Sequence, residues 1–203
     1  ELLHIPEYEI KIIKEGVEKI FTVIKDKKKL NAVKEKLGLS MPFLFYSGSL
    51  SPRKNMLAVL QAFKKVQDKI PHMLYYTGGY SWLDNEVIAY IKNNNLESRV
   101  IKLGYVSDED LVVLYNLADC YLYPSLYEGF GLPILEAQAC GCPVITSTVS
   151  SCPEVAGEGA LLVDPSNVDE IAHAMITIVE DEKLRKHIVK CGFENVKKYS
   201  WNK

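Results

Sequence analysis

What constrains this chain most is a repeated exchange between two sequence periods. Short runs that are apolar at nearly every position alternate with longer stretches in which apolar residues recur every three or four positions. A continuous apolar run needs cover on both faces, and an amphipathic helix has one apolar face to supply it. The repeated pairing therefore predicts βαβ units around a parallel sheet. The strand-like runs are Phe43–Tyr46, Met73–Tyr76, Val100–Leu103, Cys120–Tyr123, Pro143–Thr146 and Gly159–Val163. Helices are predicted between them: one with Met56, Val59, Leu60, Phe63 and Val66 on a single face, one from about Trp82 to Asn94, one opening after Ser107, and one over Pro133–Ala139. Two more follow the last strand, over Val168–Glu180 and Lys183–Lys198. Ser107 is placed to cap its helix, and Asp110 to complete a capping box. The fold class is α/β, a doubly wound parallel sheet of about six strands over residues 41–203. Residues 1–40 form a less regular entry segment, with a strand-like Tyr8–Ile13 and a Lys-rich helix ending at Gly38.

Length allows one ordinary domain of this kind; 203 residues are too few for two full-sized ones. A formal net charge of −2 gives no basic field, so no nucleic-acid partner is expected. The one basic run, Lys25 to Lys36, is interrupted by Asp26 and Glu35 and reads as a solvated helix face before a membrane-surface one. No apolar run approaches the ~20 residues that span a bilayer. The start Glu1-Leu2-Leu3-His4 has neither a basic leader nor a long apolar core, so the expectation is a piece of a longer, cytoplasmic chain without a signal peptide. Five cysteines make an odd count. Cys140-Gly-Cys142 has no second pair, and His4, His72, His173 and His187 are scattered, so no metal site is expected and the thiols read as buried or idle.

In doubly wound sheets ligands sit beyond the carboxyl ends of the strands. The loops there are Ser47–Asn55, Thr77–Trp82, Gly104–Ser107, Pro124–Pro133 and Ser147–Pro153. In Glu128-Gly129-Phe130-Gly131-Leu132-Pro133-Ile134-Leu135-Glu136, Pro133 suits the first turn of a helix, and the two glycines let backbone amides approach a ligand. Free amides and the helix dipole make an anion site suited to a diphosphate. One carboxylate then reaches the sugar side of a bound donor and the other its ribose. A lone loop Glu is usually solvated, and a Glu near a helix start is favoured by the dipole; the Gly-x-Gly turn between the two tips both toward function. The second stretch, Gly48-Ser49-Leu50-Ser51-Pro52-Arg53-Lys54-Asn55, puts two adjacent cations where the dipole disfavours them, a local conflict that marks sites. It is neither a P-loop, since Arg53 and Asn55 stand where Gly and Ser or Thr are needed, nor the dinucleotide fingerprint, of which only Gly48 is present.

These residues resemble the carboxyl-terminal domain of glycosyltransferase family 4, the retaining "group 1" transferases of the two-Rossmann-domain GT-B fold. The matching text runs from Tyr123 to Ala137 with seven residues between its two glutamates, and on through Gly141-Cys142-Pro143-Val144-Ile145. Ser47-Gly48-Ser49-Leu50 with Arg53-Lys54-Asn55 is similar to the family's phosphate loop. Ser151 to Gly157, Leu162-Val163-Asp164-Pro165 and the closing Tyr199-Ser200-Trp201 also match, and Lys14-Glu15-Gly16-Val17-Glu18 looks like the link from a first domain.

The resemblance implies roles at numbered positions. Arg53 and Lys54 bind the diphosphate with the amides of Gly129, Phe130, Gly131 and Leu132. Glu136 holds the ribose, Glu128 contacts the donor sugar, and Tyr105 and Val106 hold the base. Gly48 belongs to the donor site through the phosphate loop, and Gly78 and Gly79 leave room near the nucleotide. Ser49 stands where the family often has Arg, which leaves the number of cationic phosphate contacts open. The resemblance also implies that residues 1–40 join this domain to an amino-terminal acceptor domain that the chain lacks, and that the fragment alone is nearly inactive. Its partners would be a nucleotide-diphosphate sugar, that missing domain and a glycan or lipid-linked acceptor, with peripheral membrane contact through the missing half. No cofactor is expected, since the cations and amides can replace a divalent metal. GDP-mannose is the first donor to consider and UDP-sugars the next. The alternatives are a sugar-nucleotide epimerase or phosphorylase-like enzyme of the same architecture, and a non-catalytic nucleotide-sugar-binding subunit.

Overall fold

A computed structural model describes residues 13–40, 42–78 and 84–199. The chain runs α1 (Lys27–Lys36), β1 (Phe43–Ser47), α2 (Met56–Val66), β2 (Met73–Thr77), α3 (Asp84–Asn93), β3 (Val100–Gly104), α4 (Asp108–Leu117), β4 (Cys120–Tyr123), α5 (Leu132–Ala139), β5 (Val144–Ser147), α6 (Cys152–Ala156), β6 (Leu161–Val163), α7 (Val168–Glu180) and α8 (Glu182–Val196). All six strands join one parallel sheet in the order β3-β2-β1-β4-β5-β6. Each of the six strands expected between residues 43 and 163 is present within a residue or two of its expected bounds.

The doubly apolar strands explain the layering. Along β1 the side chains alternate: Phe43 and Phe45 enter one core with residues of α4, α5 and α6, while Leu44 and Tyr46 enter the other with residues of α2 and α7. All five β1 residues are buried, which a central strand of such a sheet requires. The chain leaves β3 at one edge and returns beside β1 as β4, so the winding reverses between β1 and β4. A crevice opens there at the carboxyl ends of the strands.

Several expectations are corrected in detail. Ser107 caps α4 through the Asp110 amide at 3.3 Å, but the Asp110 carboxylate reaches Lys36 at 2.6 Å instead of closing the capping box. Ile13 is exposed and outside any strand, and the rest of the strand-like Tyr8–Ile13 lies outside the described residues. Helix α3 is described from Asp84; Trp82, its expected start, and Gly79 are outside the described residues, as are Ser200 and Trp201. Helix α6 is an addition to the elements expected from the sequence. Cys120, Cys140, Cys142 and Cys152 are buried free thiols. Burial pushes the Cys140 thiol up to about 12, which makes it a packing residue and no nucleophile.

The entry segment is tied to the opposite end of the chain. The Val17 amide donates to the Tyr199 carbonyl at 3.1 Å, and Lys14 pairs with Glu154 at 2.9 Å.

Candidate functional site

The loop after β1 tightens into one 3-10 turn, Pro52–Lys54, that Asn55 ends in a left-handed conformation (φ 62°) before α2 begins. Both cations thus stand on a separate turn, not in the first turn of α2, which removes the dipole conflict seen in the sequence. The Asn55 side chain donates to the Pro124 carbonyl at 2.9 Å and the Pro165 carbonyl at 2.7 Å. The Leu126 amide donates to the Arg53 carbonyl at 2.7 Å. Together these bonds bind the loop after β1 to the loops after β4 and β6.

The cations converge on Glu128. Arg53 Nη1 lies 2.8 Å from its Oε2, and Lys54 Nζ 2.8 Å from its Oε1. Both Glu128 and Lys54 are buried, at 7% and 9% exposure, while half of the Arg53 side chain remains in solvent. Lys54 directs a hydrogen bond to the Tyr123 hydroxyl at 2.6 Å, with its ammonium 4.5 Å from the centre of that ring. Burial opposes ionisation of Glu128, but hydrogen bonds and charge from Lys54, with Ser125 and Tyr123, outweigh it and hold the carboxyl below its ordinary range.

Glu128 opens the Gly-Phe-Gly turn. Gly131 caps α5 in a left-handed conformation (φ 112°) that a side chain would strain, and Pro133 sits in the first turn. The amides of Gly129, Phe130, Gly131 and Leu132 have no protein acceptor among the described residues, so they remain open to an anion. The turn is held from behind: the Ser150 hydroxyl accepts the Glu128 amide at 3.0 Å, and the Ser151 hydroxyl donates to the Phe130 carbonyl at 2.6 Å. The Phe130 ring packs on Tyr199, 5.8 Å between centroids, so that residue offers its backbone to the site and its side chain to the core.

Beside this cluster is a cleft of about 320 Å³ lined by Gly48, Gly78, Tyr105, Val106, Pro133 and Glu136, among others. A Cβ on Gly78 would stand 2.4 Å from the Gly48 carbonyl oxygen, so the two loops meet more closely than any other residue permits. The Lys54 stem passes 3.7 Å from where a Cβ of Gly48 would be, which joins the cleft to the ion-pair cluster. Tyr105 is 90% exposed at the rim. Burial, with the charges of Asp108 and Glu18, raises the Glu136 carboxyl to about 7, although the Tyr115 hydroxyl, 3.3 Å from Oε2, favours its ionised form. All the described residues singled out from the sequence therefore fall on one connected surface. Asn55, Tyr123, Tyr115, Ser150 and Ser151 join them without a role assigned from the sequence; Ser151 follows a second serine just ahead of a helix-starting Cys-Pro, the one local cue available.

A family model described as "Glycosyl transferases group 1" matches residues 26–194. The chain belongs to that family. It is 38% identical over 161 residues to the O-antigen chain mannosyltransferase B of Escherichia coli, a match covering 78% of this chain and 42% of that relative. This chain thus spans less than half of the curated protein it resembles. Among solved structures, a glycosyltransferase from Rickettsia africae ESF-5 superposes with a TM-score of 0.89 at 24% identity, over 98% of this chain and 55% of the other. Anabaena HepE, determined in complex with UDP and glucose, gives 0.82 at 22% identity, over 94% and 52%. Both confirm the Rossmann-like sheet of the GT-B architecture.

Proposed function

We propose that this chain is the donor-binding domain of a retaining hexosyltransferase that uses a nucleotide-diphosphate sugar. The observation that carries the reading is the meeting of Arg53, Lys54 and Glu128 with the four open amides of Gly129–Leu132 at the point where the sheet reverses its winding. That combination offers two positive charges and a helix amino terminus to a diphosphate, beside a carboxylate facing the sugar. The diphosphate gathers negative charge as the glycosidic bond breaks, and the ring becomes oxocarbenium-like. Arg53, Lys54 and the amides hold the first charge without reorganising, and Glu128, kept ionised, orients the sugar and steadies the second. In this reading Glu136 accepts from the ribose hydroxyls, and Tyr105 and Val106 flank the base.

The likeness to the Escherichia coli mannosyltransferase favours GDP-mannose over a UDP-sugar; the HepE complex with UDP and glucose keeps UDP-sugars as the comparison. The acceptor is a glycan or lipid-linked saccharide held by an amino-terminal domain of the whole protein. Binding and transfer are metal-independent, and the reaction takes place at the cytoplasmic face of the membrane. Among the described residues no helix is long and apolar enough to cross a membrane.

A thermal-shift and calorimetry panel of GDP- and UDP-sugars tests the reading. The expected result is a stabilising shift with one nucleotide class, abolished by Lys54→Ala while the unliganded fold is retained. No shift with any nucleotide sugar, by the whole protein as well as by this chain, would overturn it.

A further inference from the structure

The cations expected to grip the diphosphate are already engaged. Lys54 and Arg53 both face Glu128, so a diphosphate entering the site competes with a carboxylate that the same reaction needs ionised and in place. If the ligand draws Lys54 away, Glu128 loses the group that contributes most to keeping it charged in a buried setting. Some other group must take over, or the carboxyl picks up a proton when the sugar arrives.

Tyr123 stands where that takeover can occur. Its hydroxyl accepts the Lys54 hydrogen bond at 2.6 Å. A phenol that accepts one hydrogen keeps its own to donate. The Lys54 ammonium has three hydrogens and so serves both neighbours, the Tyr123 hydroxyl at 2.6 Å and Glu128 Oε1 at 2.8 Å. The Tyr123 hydroxyl also lies close enough to the Glu128 carboxylate to help lower its pKa. Packing holds the ring in this position. It is 1% exposed, stacks on Tyr121 with centroids 5.7 Å apart, and carries the ammonium on its face at 4.5 Å.

We propose that Tyr123 is the positioning residue of the donor site: its phenol aims Lys54 at the diphosphate and donates its own hydrogen to Glu128 once Lys54 shifts to the ligand. The proposal rests on the donor-binding reading above and deepens it. Tyr123 touches neither phosphate nor sugar and acts through its two neighbours. Its hydroxyl stays protonated throughout, since burial, with the charges of Tyr121 and Glu128, pushes its pKa up.

The test is Tyr123→Phe in the whole transferase, with the same variant of this chain for binding. Phenylalanine keeps the buried ring and its stacking and removes only the hydroxyl. Loss of a hydrogen bond to a charged group should cost about 10-fold in kcat/KM, mostly in kcat, with donor KM changed by less than about 3-fold. The acid limb of the kcat profile is the decisive readout. Charged or titratable groups facing Glu128 are Lys54 and Arg53 from the turn after β1, Tyr46 from β1, Tyr123 from β4 and Cys152 from α6. Among these only Tyr123 changes, and removing an interaction that lowers the Glu128 pKa moves the acid limb to higher pH. Glu128→Gln, which cannot ionise, should lose that limb altogether and should show no further shift when combined with Tyr123→Phe. If Tyr123→Phe leaves kcat and the acid limb at wild-type values in an enzyme that binds donor normally, the positioning role is wrong while the donor site stands. If the wild type binds no nucleotide sugar, the underlying reading fails instead. If Tyr123→Phe lowers thermal stability and activity together with an unmoved acid limb, the residue is a packing element and the proposal falls.

Discussion

Glu128 and Glu136, one seven-residue stretch apart, are driven in opposite directions by their surroundings. Glu128 is nearly fully buried, yet it stays charged because two cations face it. Removing one member of such a pair leaves a buried charge uncompensated, which typically costs about 3–5 kcal/mol. Glu128→Gln keeps the shape and the hydrogen-bonding capacity, so its cost should fall at or below the lower end of that range. The same change frees Arg53 and Lys54 for the ligand. We therefore expect Glu128→Gln to bind nucleoside diphosphate as tightly as wild type or more so, while transfer by the whole enzyme falls by about 100-fold. Calorimetry with GDP and UDP beside steady-state rates separates the two effects; parallel loss of both would show Glu128 to be a scaffold for the loop only. No cation among the described residues pairs with Glu136, and its carboxyl is raised to about 7 by burial first and by Asp108 and Glu18 next. For an acid raised above its unfolded value, the stabilising form is the protonated one, fully present below the unfolded value near 4.5 and lost as pH rises through about 7. Glu136→Gln should then raise the melting temperature at pH 8 by roughly 2–6 °C and leave it nearly unchanged at pH 5. Donor affinity should move the other way in the wild type, strengthening from pH 6 to pH 8 as the carboxylate forms to accept the ribose hydroxyls.

At the scale of elements, the strands and most helices were legible because their cause is local. Phe43–Ser47 is apolar at all but its last position, and a strand buried on both faces needs nothing else to be recognised. The Gly-Phe-Gly turn before Pro133 was legible for the same reason, since helix starts are written in a few consecutive residues. What could not be read was everything made by contact between loops. Nothing near Asn55 in sequence announces that its amide will meet carbonyls 69 and 110 positions away. Nothing near Tyr123 announces that Lys54 will lie on its ring, and the dipole conflict at Arg53–Lys54 marked the site without revealing the separate turn that resolves it. Asn55 gives this interlocking a measurable size. Asn55→Ala removes two hydrogen bonds and places a Cβ-bearing residue without local side-chain support in a left-handed conformation, which adds up to about 2–4 kcal/mol. Guanidinium or thermal unfolding should register that loss, and donor binding should weaken as the loops part. An Asn55→Gly variant, relieved of the strain, should recover part of the stability and little of the binding.

For the molecule as a whole, the deciding fact is that the described residues of the proposed donor site gather at one end of a sheet whose order, β3-β2-β1-β4-β5-β6, forces a crevice between β1 and β4. The chain covers 42% of its Escherichia coli mannosyltransferase relative and 55% of the Rickettsia africae glycosyltransferase. A transfer reaction needs donor and acceptor in one cleft, and the site proposed here is one for the donor alone. Binding and turnover should therefore come apart. This chain should bind its nucleotide sugar with a thermal shift that survives excess chelator, because Arg53, Lys54 and the α5 amides supply the charge a divalent metal would otherwise provide. The chain alone should transfer sugar to no acceptor at a rate above hydrolysis. Adding an amino-terminal acceptor domain, in one chain with it, should restore transfer without tightening donor binding by more than a few-fold. Donor binding that collapses in chelator and returns with Mg²⁺ would mean that the two cations and the helix terminus are insufficient for the diphosphate. Robust transfer by the chain alone would mean that the cleft beside Glu136 and Tyr105 holds an acceptor as well, so that one sheet end performs what two domains were needed to explain.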